Sequence, residues 1–131
     1  MKRFLSLAAV FAIGLALCSP ASAQIVSASP VLAANQVVKA APGQLYGFQV
    51  SADATLSGAA WWVMVYDATA APADGTVTPR KCYAQASGVT SASYAFPRPI
   101  SFGVGIVIGV STTGCFSKTA STHAFISGDF Q

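Results

Sequence analysis

The sequence predicts an all-β fold, an antiparallel β-sandwich or jelly roll of seven to eight strands that follows a cleaved signal peptide. Three observations predict it. Apolar residues alternate with period two in several short runs. Gly, Pro and Asp turn chemistry separates those runs. Straight-chain helix formers are scarce: the chain has four acidic residues, all of them aspartate, while Val, Thr and aromatic residues are plentiful.

The N-terminus reads as a leader. Lys2 and Arg3 precede an apolar run, Phe4 to Leu17, and Ser19-Pro20 breaks it before the small-residue pattern Ala21-Ser22-Ala23. Fourteen helical residues span roughly 21 Å, short of a ~30 Å bilayer core. Residues 1–23 are therefore expected to be a secretory signal peptide and not a membrane anchor. Leu17 stands directly before Cys18 where a lipoprotein signal would have a small residue, so cleavage after Ala23 is favoured over lipidation at Cys18. The expected destination is the periplasm or the exterior.

What remains, 24–131, carries Lys39, Arg80, Lys81, Arg98 and Lys118 against Asp53, Asp67, Asp74 and Asp129, a net charge of +1. So even a balance gives no electrostatic footprint for nucleic acid and no polybasic hold on a membrane. Two cysteines remain, Cys82 and Cys115. In an oxidising compartment an even pair is expected to form one disulfide, with two free buried thiols as the other reading. His123 is the only histidine and no paired-cysteine spacing exists, so no metal or other cofactor is expected.

Along the chain, 24–35 mixes Ser, Ala, Pro and Val without period and reads as an extended lead-in; 36–131 reads as the sandwich domain. Gln36 to Ala40 is a candidate first strand. In Gln44 to Ser51, Tyr46, Phe48 and Val50 alternate against Leu45, Gly47 and Gln49. Thr55 and Leu56 could extend a further strand. Ala60 to Asp67 is the strongest strand: Trp61, Val63 and Val65 share one face, Trp62, Met64 and Tyr66 the other. The β-branched pair marks the Trp61 face as the core side. Asp67 to Pro79, with two prolines and Asp74-Gly75, is the clearest loop. Strands follow at Arg80 to Gln85, at Thr90 to Phe96 where Pro97-Arg98-Pro99 should end the ladder, and at Ile100 to Ser111. Short segments at Cys115 to Ser117 and Thr122 to Ser127 complete the set, the last alternating Ala124 and Ile126 against His123 and Phe125.

Catalytic patterns are weak. His123 with an aspartate and one of many serines could be assembled into a triad by composition alone, and no Gly-x-Ser-x-Gly elbow is present. A glycosidase pair of carboxyl groups is poorly served by aspartates that sit mostly at turns. Asp67 and Asp74 offer calcium only two carboxylates of the six to eight oxygens it takes, and turn chemistry explains them as well. The expectation is a non-enzymatic chain. The more informative face holds Trp62 and Tyr66. If the two long strands are neighbours, these rings could cover Gly105 and Gly109; were that surface open, it would be an aromatic platform for sugar rings or another subunit.

The stretch from Leu45 to Phe130 also resembles a small family of uncharacterised phage- and prophage-associated β-domains. The resemblance is carried by Leu45-Tyr46-Gly47-Phe48-Gln49-Val50, by Val65-Tyr66-Asp67-Ala68-Thr69-Ala70-Ala71-Pro72-Ala73-Asp74-Gly75, by Val77-Thr78-Pro79-Arg80-Lys81-Cys82-Tyr83 and by Ser111-Thr112-Thr113-Gly114-Cys115-Phe116. It implies an accessory virion or tail-associated module and transfers no catalytic residue. A virion protein assembled in the cytoplasm needs no leader, so the resemblance fits an exported, domesticated copy better. The expected function is an exported structural or interaction domain that associates with protein or with itself; a carbohydrate-binding module is the alternative and a small hydrolase a distant third.

Overall fold

A computed structural model describes residues 23–131. The leader expected over 1–23 lies, but for Ala23, outside the described residues, as does Cys18.

The domain is a sandwich of two four-stranded antiparallel sheets. The first sheet orders β1 (Ile25–Ala28), β10 (Ala124–Phe130), β3 (Gly43–Ala52) and β7 (Ser91–Phe102). The second orders β2 (Asn35–Lys39), β8 (Ile106–Ser111), β4 (Trp61–Asp67) and β6 (Lys81–Gln85). Those eight strands match the expected number. A two-stranded ribbon, β5 (Gly75–Thr76) with β9 (Ser117–Lys118), lies apart from both sheets.

Alternation fills the space between the sheets, except in β3, where the register shift between Leu45 and Gly47 brings Leu45, expected on the face opposite Phe48 and Val50, back to the inner side. Trp61, Val63 and Val65 of β4 and Ile106, Ile108 and Val110 of β8 meet Leu45, Phe48 and Val50 of β3 and Ile126 of β10 in one buried cluster. The Trp61 face is thus the core face, as its β-branched residues indicate. The buried indole keeps its one polar group satisfied: Trp61 Nε1–H donates to Val89 O at 3.0 Å. Phe48 anchors an aromatic group with Tyr83, Tyr94 and Phe96, at centroid separations of 5.5, 5.0 and 6.0 Å, within the range where tilted rings attract.

Four local expectations are corrected. Residues 24–35 are not merely a lead-in, because β1 within them pairs with β10, Ile25 opposite Phe130 and Ala28 opposite Ser127. The Pro97-Arg98-Pro99 segment does not end its strand. Leu45 faces Ile100 and Gly47 faces Ala95, so residues 96–99 bulge opposite Tyr46 alone, and β7 is an edge strand, where a missing N–H is tolerated. The segment Ile100 to Ser111 is not one strand: it turns at Gly103-Val104-Gly105, and the carboxylate of Asp67 accepts the N–H groups of those three residues at 3.1, 2.8 and 3.3 Å. Thr55 and Leu56 belong to a single helical turn, α1 (Ala54–Ser57), whose N-cap Asp53 accepts from the N–H groups of Thr55 and Leu56.

The backbone bonds to Asp67, that from Gly103 foremost, hold its carboxyl below the ordinary 3.8, with Arg80 adding charge. Likewise the Leu56 N–H, ahead of His123 and Thr55, lowers Asp53.

Candidate functional site

Each sheet has an outer face, and the two differ. On the second sheet, Met64 and Tyr66 of β4 and Val107 of β8 point outward, but not into solvent. Ala68, Ala71 and Val77 from the 67–79 segment fold back over them, with Cys82 beside. Tyr66 is 3% exposed, and its hydroxyl donates to Met64 Sδ at 3.1 Å. Burial, and then the charge of Asp74, push the Tyr66 phenol up to about 12.

Two ties hold this cover down. Cys82 and Cys115 form the expected disulfide, with Cα atoms 5.7 Å apart, joining β6 to the turn that leads into β9. Buried Lys118, on β9, donates to Pro72 O at 2.6 Å and lies 3.4 Å from Asp74. Asp74 in turn accepts from Ala120 N–H. Asp67 and Asp74, weighed from the sequence as calcium ligands, therefore spend their oxygens on backbone N–H groups and on Arg80 and Lys118.

The expected aromatic platform is accordingly not open. Tyr66 lies beneath the cover and Trp62 is partly buried. Neither ring covers a glycine in the expected way. Gly109 pairs with Met64, and the space where its Cβ would stand is taken by Asn35 Oδ1; that of Gly105 is taken by the Ala68 carbonyl.

The outer face of the first sheet has no such cover among the described residues. Register places Ser127, Gln49 and Ser93 in one cross-strand row and Phe125, Ser51 and Ser91 in the next. Adjacent strands lie about 4.8 Å apart, so this is a closely spaced grid of hydroxyl and amide groups. None of those five polar side chains is hydrogen-bonded within the described protein. Phe125 is 49% exposed. Beside it opens a shallow groove of about 240 Å³, lined by Gln49, Ser51, Phe125 and Ser127 with Ala28 and Ser29 at the β1 rim. Chemically, it offers one ring face for apolar contact and several groups able both to donate and to accept.

His123 sits at the end of the same sheet, where its Nδ1 lies 2.7 Å from Asp53 Oδ2. Asp53 is already engaged as the α1 cap, and among the described residues no hydroxyl is hydrogen-bonded to His123. The pair braces the helical turn against β10. Among the described residues no cluster of three or more His, Cys, Asp or Glu side chains is present, and no helix is long and apolar enough to cross a membrane.

Sequence reasoning missed Phe125, although a signal existed. In β10 it is the large apolar residue in the phase shared with Ser127 and Asp129, opposite to the buried phase of Ala124 and Ile126. No family model, curated protein or solved structure matches the chain.

Proposed function

We propose that this chain is an exported, non-enzymatic interaction domain, derived from a phage-associated β-module, and that the open face of its first sheet binds carbohydrate. One observation carries the reading: an exposed phenylalanine beside a groove in which the Gln49, Ser51 and Ser127 side chains have no hydrogen-bond partner among the described residues. A pyranose has an apolar C–H face and an equatorial rim of hydroxyls. Phe125 suits the first, and Gln49, Ser51 and Ser127 suit the second. A concave site with one apolar surface and a few convergent polar groups is the ordinary form of a small-ligand site. Asp129 is the one charged residue in the outward phase of β10, which favours an uncharged glycan over a polyanionic one. Export is supported by the leader pattern of 1–23 and by a disulfide of the kind that persists in oxidising compartments. The phage ancestry rests on the sequence strings quoted above.

The test is titration of the protein with neutral oligosaccharides, first across an array and then by calorimetry. Phe125→Ala should weaken binding at least about tenfold, or ~1.4 kcal/mol, with the denaturation midpoint unchanged. Trp62→Ala should leave the affinity intact. Sugar binding that survives both Phe125→Ala and Gln49→Ala overturns the assignment.

A further inference from the structure

The four sheet edges are not equally defended. β7 carries Pro97 and Pro99 in a bulge. β6 begins on Lys81 and bears the disulfide. β2 has a register shift between Val37 and Lys39 and ends on that lysine. Prolines, lysines and bulges of this kind are what blunts an edge against pairing with another chain. β1, Ile-Val-Ser-Ala, has none of them.

The exposed apolar surface gathers at the same place. Of the eight large hydrophobic side chains that stand exposed among the described residues, five fall between residues 25 and 37: Ile25, Val26, Val31, Leu32 and Val37. Ile25 and Val26 are 55% and 65% exposed. No charged residue occurs from Gln24 to Val38. β1 edges one sheet and β2 the other, and Gln36 Nε2 donates to Ser27 Oγ at 2.9 Å between them. The result is one uncharged, apolar flank of the sandwich.

The backbone there is aimed outward. Ser29 N–H donates to Ile126 O at 2.8 Å. By antiparallel alternation Ser27 and Ile25 also turn their backbone groups to β10, while Val26 and Ala28 turn theirs away from the sheet. Among the described residues nothing pairs with that side of β1.

We infer that β1 is a self-association edge, occupied by β1 of a second copy of this chain in antiparallel register about a two-fold axis through Ser27. That register sets Val26 opposite Ala28 of the partner subunit, so the outward N–H and C=O groups of each satisfy the other. The occupant is a second copy because the flank is uncharged on both sides of such a contact. Of the four edges of the sandwich sheets among the described residues, β1 is the undefended one that the pairing needs. The two-fold axis stands perpendicular to the sheet. The first sheets of both copies then merge into one, and their open faces point the same way. Val26 of the partner subunit would border the groove beside Ala28, and two grooves would face one surface. A contact built on so short a strand belongs to the small, reversible class of interface. Its value lies in avidity, where linking two sites gains about 10²–10⁴-fold on a multivalent surface.

The dimer does not depend on the sugar reading, and its test contains no sugar. Sedimentation velocity of the exported protein from micromolar to millimolar concentration should show a reversible shift from monomer to dimer. Val26→Lys, at a well-exposed position that tolerates the change, should weaken association at least tenfold. Val26→Pro, which removes an N–H pointing away from β10, should do the same without adding charge. Val104→Lys, an exposed apolar position in the turn before β8, should associate like the parent. A protein monomeric at every concentration overturns the inference, as does a dimer indifferent to both Val26 variants. A monomer that floats with phosphatidylcholine vesicles, and is released by Val26→Lys, overturns it in favour of a lipid surface.

Discussion

The two outer faces of this sandwich have opposite chemistry and opposite fates. The second sheet turns Met64, Tyr66 and Val107 outward and then buries them under the 67–79 segment, which the disulfide and Lys118 hold in place. The first sheet turns Gln49, Ser51, Ser91, Ser93 and Ser127 outward and leaves them uncovered among the described residues. An apolar outer face in water demands cover. Once covered, it is a second small core and is lost to ligands. A polar face demands nothing, so it stays available. The most aromatic strand, β4, therefore serves stability on both of its sides. Phe125, an exposed ring beside a groove, stands on a strand of modest composition.

The largest expected effect tests the inner side of β4. Trp61→Ala should cost about 3–5 kcal/mol in equilibrium denaturation, since a fully buried indole leaves a cavity the sheets cannot collapse into. Trp62→Ala, at a partly buried position, should cost distinctly less. Equal costs would mean that the two sides of β4 are packed alike, which breaks the distinction between main core and covered face.

The next effect tests the cover. The disulfide closes a loop of sequence separation 33, for which chain entropy predicts a contribution of roughly 3.5–4 kcal/mol before any native-state strain. Cys82→Ser with Cys115→Ser should lower stability by up to that amount and make the 67–79 segment the first site of limited proteolysis. Cleavage starting elsewhere would show that Lys118 and Asp74 alone keep the cover closed.

Much of the fold was legible, and the reasons are particular. β4 could be oriented because seven residues are enough to show a period and because Val63 and Val65 mark one phase. The Cys82–Cys115 bond was the pairing expected if the leader anticipated over 1–23 takes Cys18 with it, two free thiols being the other reading. β1 was not legible, because four residues show no period and its partner β10 lies at the other end of the chain. Gly103 and Gly105 read as the small face of a strand, since the Asp67 carboxylate that makes them a turn comes from more than thirty residues earlier. The site was misplaced for the same kind of reason. Trp62 and Tyr66 do share a face, but what covers that face is a loop whose path no local pattern records. Phe125 was readable as a ring in the polar phase of its strand, and it weighed little beside two tryptophans.

The smallest effect reports on the cover without disturbing it. Burial first, and the Asp74 charge second, raise Tyr66 to about 12 from the ordinary 10.0. For an acid whose folded value is raised, the neutral form is the one the fold favours. The stability linked to it is complete below about pH 10 and is lost as pH rises from there towards 12. Stability at neutral pH is thus untouched, and the signal is spectroscopic. In an alkaline titration followed by tyrosinate absorbance, Tyr66 should ionise late, at about 12. Tyr83 is raised as well, by burial first and then by Tyr94, so the assignment needs Tyr66→Phe, which should delete the highest step. In the disulfide-free variant that step should move back towards 10, because an opened cover returns water to the phenol. A highest step that survives Tyr66→Phe would place the most protected tyrosine in the main core. The second sheet's outer face would then be solvated after all, and the contrast between the two faces would fail.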